Sequence, residues 1–137
     1  MIKKLSIICI LSFFANICES QIRITEICAS NIALVADPLY HEYSDWLEIT
    51  NTGNSSINLQ HYYLTDNKIN LKKHRFNDPL IIKPGEIIIL WADEKDTINH
   101  IDFELPREGA TLIISDSNLQ IIDSITYPYL VADISYG

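Results

Sequence analysis

"DWLEITN" (45–51) carries the decision about the fold. Asp45 and Glu48 stand three residues apart. On a helix that spacing would set two carboxylates side by side, as an acid/base pair requires. On a strand, where side chains alternate, it sends them to opposite faces. Leu47 and Ile49 alternate with Glu48 and Thr50, the two-residue period of a half-buried strand. The β-branched Ile49 and Thr50, with Gly53 close behind, are poor helix material. The stretch therefore reads as a strand: Leu47 and Ile49 face the core, Trp46 and Glu48 share the other face, and Asp45 stands at the entry.

Neighbouring segments repeat this signal. "IRITEICA" (22–29) alternates but slips between Ile24 and Ile27, as a β-bulge produces. "INLQHYYLTD" (57–66) offers a short strand and then a second at Tyr62–Thr65, after the turn cluster "NTGNSS" (51–56). In "IIKPGEIIILWAD" (81–93), Pro84-Gly85 fit the centre of a type II turn, because Pro presets φ and Gly accepts positive φ. The run Ile87–Trp91 is apolar on both faces, which predicts a central, covered strand. "GATLIISDSNLQIIDSITY" (109–127) reads as a hairpin with arms Thr111–Ser115 and Gln120–Tyr127 and a turn at Asp116–Asn118. About seven to nine short strands without helical periodicity predict an all-β sandwich over 21–137.

Residues 1–20 are set aside as a signal peptide. Lys3 and Lys4 precede the apolar run "LSIICILSFFANI" (5–17), and the small residues of "CES" fit cleavage before Gln21. The run is too short for a comfortable membrane span, so no stable span is expected after cleavage. Ile17, rather than a small residue, precedes Cys18, which argues against lipidation. The expected location is secreted or at the cell surface. Cleavage leaves 8 basic against 17 acidic residues, a net charge of −9. That charge opposes binding to nucleic-acid phosphates. Cys28 alone remains of three cysteines and reads as a small buried hydrophobe.

No metal-binding histidine pair, Gly-rich phosphate loop or G-x-S-x-G elbow is present. His41, His61, His74 and His100 are scattered singly and read as surface or loop residues. Asp37, Glu42 and Asp45 flank the aromatic loop "DPLYHEYSD", a candidate Ca²⁺ site built from oxygen ligands, and Asp93, Glu94 and Asp96 crowd a second loop. No other cofactor is expected. "KINLKKHRF" (68–76) is the basic cluster, read as a charged loop or edge strand in preference to a polyanion site. Tyr40, Tyr43, Trp46, Tyr62 and Tyr63 are candidates for an exposed ligand-binding patch.

Taken in order, "ITEICASN" (24–31), "DWLEITN" (45–51), "YYLTD" (62–66), "IIKPGEIIILWAD" (81–93), "FELPREGATLIISD" (103–116) and "IIDSITY" (121–127) resemble the lamin-tail domain family, most closely its secreted bacterial members. The resemblance implies an immunoglobulin-like sandwich that acts as a non-catalytic interaction or scaffolding module, with a protein or surface glycan as partner. It offers no catalytic residues to carry over. Leu47, Ile49, Leu64, Ile87, Ile89, Leu112, Ile114 and Ile122 match strand-interior positions, and Gly85 and Gly109 match turns. Asp45, Asn51, Asp66, Asp93 and Asp116 match polar turn or cap positions. Relatives usually continue past the place where this chain ends, at "DISYG" (133–137), which reads as a truncated domain edge or a fragment. An alternative follows: an N-terminal accessory domain of a larger exported enzyme (a nuclease, another hydrolase or a CotH-like kinase protein), with its chemistry beyond residue 137. A third reading is a small hydrolase acting through Asp45 or Glu48.

Overall fold

The computed structural model describes residues 21–137, so the signal segment expected over 1–20 lies outside the described residues. "DWLEITN" is a strand, and the whole of it, Asp45–Asn51, forms β2. Antiparallel partners flank it on both sides: β1 (Ile22–Cys28) and β7 (Ile87–Ala92). The register of β1 slips at Thr25, with Ile24 opposite Ile49 and Glu26 opposite Glu48. This is the bulge that the sequence predicts. It keeps Ile22, Ile24 and Ile27 all pointing into the core.

The remaining strands are β3 (Ile57–Asn58), β4 (Tyr63–Thr65), β5 (His74–Arg75), β6 (Ile81–Ile82), β8 (His100–Ile101), β9 (Ala110–Ser115) and β10 (Ile121–Tyr127). One sheet runs β1-β2-β7-β8, the second runs β10-β9-β4-β5, and β3 pairs with β6 in a short ribbon. Ten strands exceed the expected number because β5, β6 and β8 are two-residue pieces too short to leave a periodic trace. The described residues contain no helix. The β9–β10 hairpin closes through Asp116, which accepts hydrogen bonds from the Asn118 and Gln120 amides. At the turn before β7, Gly85 has φ of 72° and the Glu86 amide donates to Lys83 O at 3.0 Å, as a type II turn demands.

Leu47, Ile49, Leu64, Leu90, Leu112 and Ile114 meet between the sheets in the main core. Two expectations about the outer face need correction. Trp46 is buried rather than exposed, because a second small cluster of Cys28, Trp46 and Trp91 forms on the outside of the first sheet beneath Val35. Ile87 is exposed, because β8 pairs only with Trp91 and Ala92 and leaves the start of β7 uncovered. The open edge of β1 is blocked instead by the chain end: Ile27 and Tyr136 exchange two backbone hydrogen bonds of 2.8 Å.

Candidate functional site

Asp37, Glu42 and Asp45 do not converge. Asp37 is buried and caps its own turn, its carboxylate accepting from the Leu39 and Tyr40 amides at 2.8 and 3.3 Å. Glu42 turns outward to Lys95 Nζ at 2.8 Å. Asp45 Oδ1 accepts from the Asn31 amide at 2.9 Å. Asn31 fixes the rest of this loop, donating to Val35 O and Ser44 O and accepting from the Leu34 and Val35 amides. Glu42 and Asp45 do border one open cleft of about 360 Å³, together with Asp93, Lys95 and Glu104. Burial pushes the Asp45 carboxyl up, against the Asn31 hydrogen bond.

Asp37 belongs to a different group, with Asp93 and His100. His100 Nδ1 lies 2.9 Å from Asp93 Oδ2, and its Nε2 faces Asp37 Oδ2 at 3.8 Å. Lys95 Nζ reaches Asp93 Oδ2 at 2.8 Å and lies over the Tyr40 ring, 4.6 Å from its centroid. Tyr40 meets the His100 ring edge-on at 5.1 Å. Burial alone would raise the Asp93 carboxyl, but the donors Lys95 and His100 outweigh it and hold it below its usual range. The hydrogen bonds it donates to Asp93 and then to Glu42 push the Lys95 ammonium well above its usual value.

The loop that delivers His100 is tight. β7 and β8 are parallel neighbours joined by residues 93–99 alone, whereas parallel pairs ordinarily need a crossover of a dozen or more residues. Glu94, Asp96 and Asn99 all take positive φ to make the turn. The amide of Trp91 donates to Asn99 O at 2.8 Å, closing the loop on the strand.

On its far side the same loop meets β5. His74 Nδ1 lies 3.0 Å from Asp102 Oδ1 and 3.8 Å from Asp96 Oδ1, and its ring packs edge-on against Phe76. Burial pushes the His74 imidazole below its ordinary pKa, against the pull of Asp102 and Asp96. A cavity of about 40 Å³ runs between the two histidines and is bordered by Asp96 and Asn99. That is room for a water or a small ion and not for an organic substrate. Both histidines are enclosed, with 4% and 3% of their side chains exposed.

The surface reading therefore holds for the exposed His41 and His61 and fails for His74 and His100. No local motif announces the buried pair, since His74 finds its partner 28 residues away. The aromatic patch also divides: Trp46 is buried, Tyr62 packs on the main core, and Tyr63 carries Lys72 over its ring. Lys73, the neighbour of Lys72 in the basic cluster, pairs with Asp66 at 2.7 Å. Cys28 is fully buried, and burial raises its thiol. Glu48, on the face opposite Leu47 and Ile49, stands across from Glu26, far from partnership with Asp45.

The sequence profile of the Lamin Tail Domain family matches residues 18–128, most of the chain. The chain belongs to that family. Lamin tail domains are a non-catalytic, immunoglobulin-like family, and the two packed sheets agree with that fold. No curated protein matches the chain. The match ends one residue after β10, so the edge-covering residues 129–137 lie outside the part of the lamin tail domain matched here.

Proposed function

We propose that this lamin tail domain is an exported, non-catalytic interaction module, working in adhesion, targeting or scaffolding at the cell surface, with a protein or surface glycan as its partner. The observation that supports the reading is a set of exposed apolar side chains on two segments joined by hydrogen bonds. Asp133 Oδ1 accepts from the Ile32 and Ala33 amides at 2.7 and 2.9 Å, and the Asp133 amide donates to Ser30 O at 2.9 Å. Ile32, Leu34, Val131 and Ile134, four apolar residues of the two segments so joined, are each about half or more exposed. Solvent-exposed apolar residues on hydrogen-bonded loops suit recognition without chemistry.

Replacing Ile32, Val131 and Ile134 with lysine tests this. The triple variant should keep its melting temperature within a few degrees, as exposed substitutions do, and lose binding to surface extracts or glycan arrays that the parent retains. Equal binding by both proteins, or turnover of esters, phosphodiesters or glycans by the parent, would refute the reading. Fractionation of cells expressing the full chain tests export separately: retention in the cytoplasm would remove the cell-surface part of the proposal.

A further inference from the structure

Two groups of side chains in the described residues bring three metal-capable donors together, and their charge balance differs. In the Asp37–Asp93–His100 group the protein supplies its own cation. Lys95 Nζ is 2.8 Å from Asp93 Oδ2 and 2.8 Å from Glu42 Oε2. In the His74–Asp96–Asp102 group the donor atoms lie within 4.8 Å of one another, and among the described residues no lysine or arginine pairs with either carboxylate. Two carboxylate oxygens thus face one imidazole nitrogen of a side chain only 4% exposed. Like charges this close disfavour each other, and the exposure of Asp96 (53%) and Asp102 (37%) leaves them open to a cation from solvent.

A second observation concerns Asn99. Its Oδ1 is buried and accepts no hydrogen bond among the described residues. Buried amide oxygens are ordinarily paired, so a lone one calls for a positively polarised partner. Asn99 borders the same cavity as His74 and Asp96, and that cavity, at about 40 Å³, matches a single ion with a water.

We propose that His74, Asp96 and Asn99, which line the cavity between β5 and the β7–β8 loop, together with Asp102 beside His74, bind one divalent transition-metal ion of the Zn²⁺ or Mn²⁺ kind. The donor set is one imidazole nitrogen, two carboxylates and one amide oxygen. Imidazole suits Zn²⁺, carboxylates and carbonyls suit Mn²⁺, and a nitrogen ligand disfavours Ca²⁺. The ion neutralises Asp96 and Asp102 and gives Asn99 Oδ1 its partner. It also has a mechanical consequence: β5 ends the second sheet and β8 ends the first, so the ion fastens the two sheets at one corner. This site differs from the Asp37, Glu42 and Asp45 set suggested by the sequence, and it does not depend on the interaction role proposed above.

The test is titration of the purified protein with ZnCl₂, MnCl₂ and CaCl₂ in separate arms, read by calorimetry and by melting temperature. Zn²⁺ or Mn²⁺ should bind at one per chain, raise the melting temperature and be reversed by chelator. Asp96→Asn and Asp102→Asn change partly exposed carboxylates, so both variants should fold, and each should weaken binding by about tenfold or more. Glu42→Gln and Asp45→Asn should bind as the parent does. A ¹⁵N spectrum of the imidazoles should show the His74 Nδ1 resonance move on adding Zn²⁺, a signal that stability alone does not produce. Absence of binding by both transition ions, tighter binding of Ca²⁺ than of either, or unchanged affinity in an Asp96→Asn, Asp102→Asn double variant would each overturn the proposal.

Discussion

His100 Nδ1 and Asp93 Oδ2 are 2.9 Å apart with both side chains shielded from solvent, and Lys95 closes on the same oxygen at 2.8 Å. One carboxylate thus holds both the end of the tight β7–β8 loop and its middle. Asp93→Asn removes the charge that both donors answer to. Breaking a buried charged pair from one side costs about 3–5 kcal/mol, and the partial exposure of Lys95 moderates that here, so a loss of roughly 2–4 kcal/mol is expected in urea denaturation. The folded Asp93 carboxyl sits below its unfolded value. Its contribution is therefore complete above the unfolded pKa of about 3.9 and fades as pH falls through the lower folded value. The variant should lack that part of the acid transition.

Asn51, the last residue of β2, is fully buried and ties three backbone groups together. Its amide donates to Ser55 O and Ile82 O at 2.8 and 2.9 Å, and its Oδ1 accepts from the Gly53 amide at 2.9 Å. Asn51→Leu leaves all three without partners. Each unsatisfied buried group costs about 1–3 kcal/mol, so the expected loss exceeds ~2 kcal/mol, measured by calorimetric or chemical unfolding.

Asp133 offers a pH test of the junction between residues 30–35 and the chain end. Hydrogen bonds from the Ala33 and Ile32 amides hold its carboxyl below the ordinary range. The junction should be intact at neutral pH and loosen as pH falls through the folded pKa, below the usual carboxylate value. Hydrogen-exchange protection of the Ile32 and Ala33 amides should decline over that window in the parent. In Asp133→Asn it should be lower at neutral pH and vary little with pH. Equal protection in both proteins would dismiss the latch.

Substitutions at two successive residues of β2 should separate its faces. Leu47→Ala opens the main core and should cost about 2–5 kcal/mol. Glu48 lies across from Glu26, and its carboxyl is raised by burial first and by Glu26 second. Glu48→Gln relieves a like-charge cross-strand pair and should gain roughly 0.2–1 kcal/mol at pH 7. A raised folded pKa means the Glu48 penalty grows as pH rises, so the gain should shrink in acid.

Cβ alternation and turn chemistry are properties of adjacent residues, and they made much of this protein legible from its sequence. "DWLEITN" declared β2 through the alternation of Leu47 and Ile49 with polar neighbours, Pro84-Gly85 declared their turn, and the slip after Ile24 declared the bulge. The ordered motifs also carried the family. What sequence did not reach were encounters between distant segments. Val35 folding over Trp46 made an apparently exposed indole part of a second core. Two-residue strands placed His74 and His100 on either side of one short loop, where apparently solitary histidines became buried partners of Asp102 and Asp93. The same packing drew Asp37 away from Glu42 and Asp45. Periodicity records which face a side chain takes; only the closing of one segment upon another decides what waits on that face.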